Sequence, residues 1–131
     1  MARERQNYTI LSGETSIGPG VTIKSEDYNN IILAVASDGG GDADMTLQLQ
    51  GSISIDSPNF NAAQSKDNLW AYIAFSDYTD GEPATGDEGI IFSGGDKYKI
   101  IEAEINGLKW FTVNMTARSA GEPYVYCKLF N

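Results

Sequence analysis

The sequence has no histidine, a single cysteine and four prolines, and its nine lysine and arginine residues face eighteen aspartates and glutamates. Without an imidazole there is no Ser-His-Asp triad, no histidine-ligated metal centre and no switch titrating near neutral pH. A lone Cys127 excludes an intramolecular disulfide and a thiolate zinc cluster within one chain, while an intermolecular disulfide stays open. The formal net charge of −9 argues against a basic footprint for nucleic acid and against attraction to an anionic membrane. No hydrophobic run approaches membrane-spanning length, and the polar and charged residues from Arg3 to Asn7 interrupt any secretory signal. These absences lead to the expectation of a chain made in the cytoplasm, with no membrane and no direct nucleic-acid partner.

What is present is enough for one domain. A chain of 131 residues, 41% of them hydrophobic, buries roughly two-thirds of its extended surface and needs no disulfide staple. Residues 1–12 mix charge and polarity and read as an N-terminal arm or an edge strand; residues 13–131 read as a single domain. Apolar and polar side chains alternate with period two in several segments, and no long helical period competes with them. Asn30 to Ala36 is a short apolar run with the composition of a largely buried strand. Met45 to Gln50 alternates and Ile53-Ser54-Ile55 resumes after Gly51, so one long half-buried strand with a bulge or change of direction is expected there.

The long loop 56–68, containing Pro58, precedes a strand-like run from Leu69 to Phe75. That run sets Trp70 and Tyr72 on one face and Ala71, Ile73 and Phe75 on the other, with the aromatic face expected inside a sandwich. Asn106-Gly107 is a favoured two-residue hairpin turn joining Tyr98–Ile105 to a return strand over Leu108–Ala117. In the return strand Phe111, Val113, Met115 and Ala117 share one face, while Trp110, Thr112, Asn114 and Thr116 share the opposite one, a solvent face for its polar members. The last strand turns Val125, Cys127 and Leu129 inward and Tyr124, Tyr126 and Lys128 outward. Cys127 thus reads as a buried small hydrophobe rather than a reactive thiol. The fold class is all-β, an antiparallel two-sheet β-sandwich, with jelly-roll-like and Ig-like topologies both open.

Three sets of residues are candidates for a site. Asp38, Asp42 and Asp44 surround three consecutive glycines, so carboxylates and carbonyls can converge on calcium; the spacing is not that of a twelve-residue calcium loop, and a solvated turn is the competing reading. Asp77, Asp80, Glu82, Asp87 and Glu88 form a second acidic loop, in which two carboxylates at the right separation would serve acid–base chemistry. No nucleophile with a credible base accompanies them, so no catalytic residue is assigned and no cofactor beyond calcium is considered. Trp70, Tyr72, Trp110, Tyr124 and Tyr126 offer flat rings that stack on sugars or anchor a protein interface, although core packing explains many such rings equally well.

The stretch IIEAEINGLKWFTVNMTARSAGEPYVYCKLFN, read with MTLQLQGSISID before it, resembles small virion-associated β-sandwich proteins of tailed bacteriophages. Gly107, Trp110, Phe111, Val113 through Ala117, Gly121 and Tyr124 through Leu129 carry the resemblance, and Met45 to Asp56 looks like the strand before a particle-surface loop. It spans Ile31 to the C terminus. The resemblance implies a noncatalytic structural protein that decorates or stabilises the capsid, as an auxiliary capsid or head-fibre base component. Its implied partners are phage capsid or other virion proteins and further copies of itself in a homo-oligomer, and its implied location is the virion, after synthesis in the host cytoplasm. No catalytic residue comes with it. A carbohydrate-binding β-sandwich is the alternative, and an acidic-loop hydrolase the third reading.

Overall fold

The computed structural model describes residues 6–39, 41–94 and 98–131. The first five residues of the expected arm, and Gly40 of the triple glycine, lie outside these. The described residues form two sheets and no helix, hence no helix long and apolar enough to cross a membrane. Sheet A has the order β1 (Gln6–Ser12), β12 (Glu122–Phe130), β4 (Asn30–Asp38), β10 (Tyr98–Glu104), β7 (Phe75–Asp77) and β8 (Glu82–Ala84). Sheet B runs β2 (Gly18–Pro19), β11 (Trp110–Ala120), β5 (Asp44–Ser52) and β6 (Ala71–Tyr72), with β3 (Ile23–Lys24) also paired to β11 and β9 (Ile90–Ser93) to β5. All these pairings are antiparallel. The chain is an antiparallel β-sandwich.

Period-two alternation supplies the core. Ile31, Leu33 and Val35 of β4, Val125, Cys127 and Leu129 of β12, and Ile101 and Ala103 of β10 face Met45, Leu47 and Leu49 of β5 and Phe111, Val113 and Met115 of β11 in one buried apolar cluster. Burial also pushes the Cys127 thiol up to about 12, so it packs there as a neutral hydrophobe.

The turn at Asn106-Gly107 exists but does not close a hairpin. The Leu108 N–H donates to the Ile105 carbonyl at 2.9 Å, and Gly107 carries the positive φ of +91°. Asn106 does not adopt a positive φ, so the turn is of type II rather than the type I′ that matches strand twist, and the flanking strands splay. Consequently β10 joins sheet A and β11 joins sheet B. The connections from β4 to β5 and, through Gly121, from β11 to β12 cross between the sheets in the same way.

Three other expectations are revised. Gly51 sits inside β5 without a bulge, opposite Phe111, and the strand ends at Ser52, leaving Ile53 and Ile55 outside it. The run 69–75 is not one strand: β6 belongs to sheet B and β7 to sheet A, so the aromatic face of Trp70 and Tyr72 lies on the outside of sheet B instead of within the sandwich. The polar face of β11 is not solvated. Thr112 and Asn114 are buried together with Gln48, Gln50 and Ser52, and loop backbone from Val21, from segment 53–70 and from Gly86-Asp87 takes up hydrogen bonds from this face. The Gln50 amide donates to the Phe60 carbonyl at 3.1 Å and the Ser52 hydroxyl to the Leu69 carbonyl, while the Thr112 hydroxyl reaches the Val21 carbonyl at 2.9 Å.

Gly20 holds the seam between β1 and β11. Its N–H donates to the Val113 carbonyl at 2.9 Å, and the next N–H, of Val21, to the Ile10 carbonyl at 3.0 Å. A Cβ on residue 20 would stand 2.2 Å from the Ile10 oxygen. Gly20→Ala is therefore expected to cost about 2 kcal/mol, in the range of overpacking, against about 3–5 kcal/mol for Phe111→Ala. Equilibrium urea unfolding measures both, and an unchanged Gly20→Ala midpoint would show that the strands part here without loss.

Candidate functional site

The three aspartates of the glycine-rich turn are all exposed. Asp38 ends β4 opposite Glu122, Asp44 begins β5 opposite Ser93 and Ala120, and Asp42 lies in the turn between them. Among the described residues no group of three or more His, Cys, Asp or Glu side chains is gathered to hold a metal ion.

The second acidic loop is more ordered than its composition suggests. It contains the β7–β8 hairpin, and Asp77, Asp80, Glu82 and Glu88 line a cleft of about 240 Å³ with a residue that the sequence reading did not single out, Lys99. Lys99 alternates with Ile101 on β10 and so points inward, where its ammonium lies 2.8 Å from Asp77 and 2.9 Å from Asp80. The other Asp77 oxygen accepts the N–H groups of Thr79 at 2.9 Å and Asp80 at 3.2 Å. Burial is the largest single influence on Asp77 and opposes its charge. The Lys99 ammonium and the two N–H groups together outweigh it and hold the carboxyl below its ordinary value. For Lys99 burial likewise opposes the charge, and the two carboxylates reverse it and hold the ammonium above its ordinary value. With both oxygens engaged, Asp77 is committed to positioning the hairpin. The sequence signal for this pair was a lysine at an inward position of an otherwise apolar strand face.

The five aromatic candidates divide between the two outer surfaces. Trp70 and Tyr72 meet edge to face, ring centres 5.1 Å apart, and Trp70 also packs on the buried Phe60 at 6.4 Å. The Trp70 indole donates to the Ala62 carbonyl at 3.0 Å and the Trp110 indole to the Ser54 carbonyl at 3.0 Å, so these two rings hold the covering segment of sheet B. Tyr124 and Tyr126 stand on the outer face of sheet A, on the other side of the core from Trp110. Trp110, Tyr124 and Tyr126 do not share a groove.

Among the described residues two apolar surfaces stand out. At the end of the sandwich beside the 105–108 turn, Ile53, Ile55 and Leu69 are 73%, 82% and 56% exposed. Ile53 and Leu69 border a groove of about 360 Å³ floored by Gly51 and walled by Ile73 and Leu108. A Cβ on residue 51 would press on the Leu108 and Ile73 side chains, so the glycine lets both seat there. The second surface is the outer face of sheet A, where Tyr98, Ile100 and Tyr126 are 74%, 43% and 47% exposed around Ile32, Ala34 and Ala36 of β4. Of these residues only Tyr126 is a contact candidate from the sequence. The available signal was apolar character on both faces of β4 and of β10.

No family model matches the chain, and no curated protein sequence matches it. Among solved structures the fold is similar to the SPBc2 prophage-derived protein YomS, with a TM-score of 0.68 and 10% identity over 96% of this chain and 92% of that one. It is also similar to the PBSX exported protein XepA, with a TM-score of 0.61 and 11% identity over 98% of this chain. The match covers 39% of the XepA chain, so the sandwich corresponds to one part of that longer protein. What the three chains share at this level of identity is the fold.

The Asp77–Lys99 pair fixes a pH dependence. Asp77 is depressed below 3.8, so its contribution to stability is present above that value and is lost as pH falls through the depressed pKa; Lys99 is raised above 10.5, so its contribution is present below that value and is lost as pH rises through the raised one. Asp77→Asn is expected to cost about 2 kcal/mol at neutral pH, between the values for exposed and fully buried pairs, and to flatten the acid limb of the stability curve. Denaturant unfolding at a series of pH values from about 2 to about 7 measures this. An acid limb as steep in the variant as in the parent would assign the dependence to other carboxylates.

Proposed function

We propose that the chain is a noncatalytic structural protein of a phage virion, which attaches to other virion proteins through the apolar end of the sandwich and so decorates or stabilises the capsid. The observation that carries this reading is the Ile53, Ile55 and Leu69 surface with its groove. Large aliphatic side chains held on loops, contiguous with an apolar depression, mark a protein contact rather than a solvated end. A sandwich fold shared with a prophage-derived protein supports the same reading, as does the resemblance of the C-terminal strands to virion-associated sandwiches. Copies arrayed on a particle turn a modest contact of this size into high occupancy without any chemistry. The ring geometry does not favour the glycan-binding reading, because Trp70 and Tyr72 lie edge to face and Trp110 is separated from Tyr124 and Tyr126 by the core.

Particles purified by density gradient from a phage carrying this chain are expected to contain it at a fixed copy number by quantitative mass spectrometry. Replacing both Ile53 and Ile55 with Asp is expected to lower that number about tenfold, the equivalent of about 1.4 kcal/mol per site. The thermal midpoint is expected to stay within about 2 °C, because both side chains are exposed and outside strands. A chain absent from purified particles would overturn the reading.

A further inference from the structure

The outer face of sheet A has an internal symmetry. Three cross-strand rows run over β12, β4 and β10: Tyr124–Ala36–Tyr98, Tyr126–Ala34–Ile100 and Lys128–Ile32–Glu102. The first two place an alanine of β4 between two larger side chains, and the third an isoleucine between two charged ones, so β4 lies low between its neighbours. A shallow depression of about 380 Å³ crosses this face from Asn7 and Thr9 of β1, past Tyr126 and Lys128, over Ile32 and Ala34 to Ile100. The third row ends in opposite charges two strands apart, roughly 10 Å, and among the described residues neither Lys128 nor Glu102 forms an ion pair in its own chain. Glu102 is instead held in place by the Tyr78 hydroxyl, which donates to its carboxylate at 2.7 Å.

We propose that this face binds a second copy of the chain about a two-fold axis running along β4. Rotation about that axis brings the β12 side of one copy over the β10 side of the other at the same height. Lys128 then meets the partner's Glu102, Tyr126 meets the partner's Ile100, and Ala34 lies on the axis, where two methyl groups allow the sheets to approach. The operation satisfies both unpaired charges twice and covers the exposed tyrosines. It also accounts for β4 being apolar on both faces, the pattern of a strand buried on both sides. The four long strands β1, β12, β4 and β10, at ~4.8 Å spacing and with about seven residues each in the overlap, give roughly 440 Å² in projection, the area of a small, weak interface. This contact uses a different surface from the virion reading and stands or falls apart from it.

Sedimentation of the full chain from about 10 to about 500 μM tests the proposal, with the span chosen for the weak affinities that small interfaces give. The expected result is a concentration-dependent monomer–dimer equilibrium. Ala34→Arg, which sets two guanidinium groups against each other on the axis, is expected to leave monomer alone. Lys128→Glu and Glu102→Lys are each expected to weaken the dimer about tenfold, and the double exchange to restore it to within about threefold, because the pair is rebuilt with its signs reversed. Near-ultraviolet circular dichroism verifies that each variant is folded, and if Ala34→Arg does not fold the charge exchange alone decides. A monomer throughout the range, a dimer that survives Ala34→Arg, or a double exchange no better than the singles would each overturn the inference.

Discussion

Ile31, Leu33, Leu47, Phe111, Val113 and Leu129 belong to one apolar layer between the two sheets, and the chain crosses that layer at successive turns rather than running round its edge. Each of the strands β4, β5, β10, β11 and β12 turns an apolar face to the core, and no face of this kind is stable in water alone. Sending consecutive strands to opposite sheets lets the apolar faces of neighbours in sequence cover one another across the core. The type II turn at Asn106-Gly107 and the glycine at 121 serve this arrangement, because both release strands in diverging directions.

From that constraint follow two different outer surfaces. Sheet B is covered by its own connection: backbone carbonyls of segment 53–70 accept from the Gln50 amide, the Ser52 hydroxyl and the Trp110 indole, while the buried Gln50 side-chain oxygen has no partner among the described residues. Among the described residues sheet A has no such cover. Its central strands keep apolar side chains on the outside, and the polar groups among them are few and placed at the margins. The only inward charge described on β10, Lys99, is accommodated where the sheets open towards the β7–β8 hairpin, and the pair with Asp77 fastens that hairpin to the sandwich. The described residues thus separate a face covered by the chain itself, a face with exposed apolar side chains and an apolar end.

Much of this was legible one strand at a time. The inward positions of Val125, Cys127 and Leu129, and of Phe111, Val113 and Met115, follow from alternation alone, and the loop 56–68 followed from its proline and lack of β-branched residues. Alternation also misled. Thr112 and Asn114 are polar and occupy the non-core face, which in a two-layer protein is ordinarily wet, yet a third layer of loop covers them. The exposed aliphatics Ile53 and Ile55 had the opposite fate, since their period continued that of β5 while the strand itself had ended at Ser52. Trp70 and Tyr72 were legible as an aromatic pair, but not the direction in which the pair faces, because that depends on a change of sheet within three residues.

The sequence by itself determined the class of the molecule: strands rather than helices, a sandwich core with Cys127 inside it, no histidine chemistry and a strongly acidic balance. These are local properties, set by the period of side chains along a strand and by composition. Only the tertiary structure decided which strands share a sheet, hence that Trp110 and Tyr126 stand on opposite sides, that Lys99 meets Asp77, and that Lys128 and Glu102 flank β4 in one row. The physical reason is that strand pairing joins residues far apart in the chain through backbone groups common to all residues. A turn such as Asn106-Gly107 reads the same in sequence whether its strands pair or part, and the burial of the faces on either side settles which occurs.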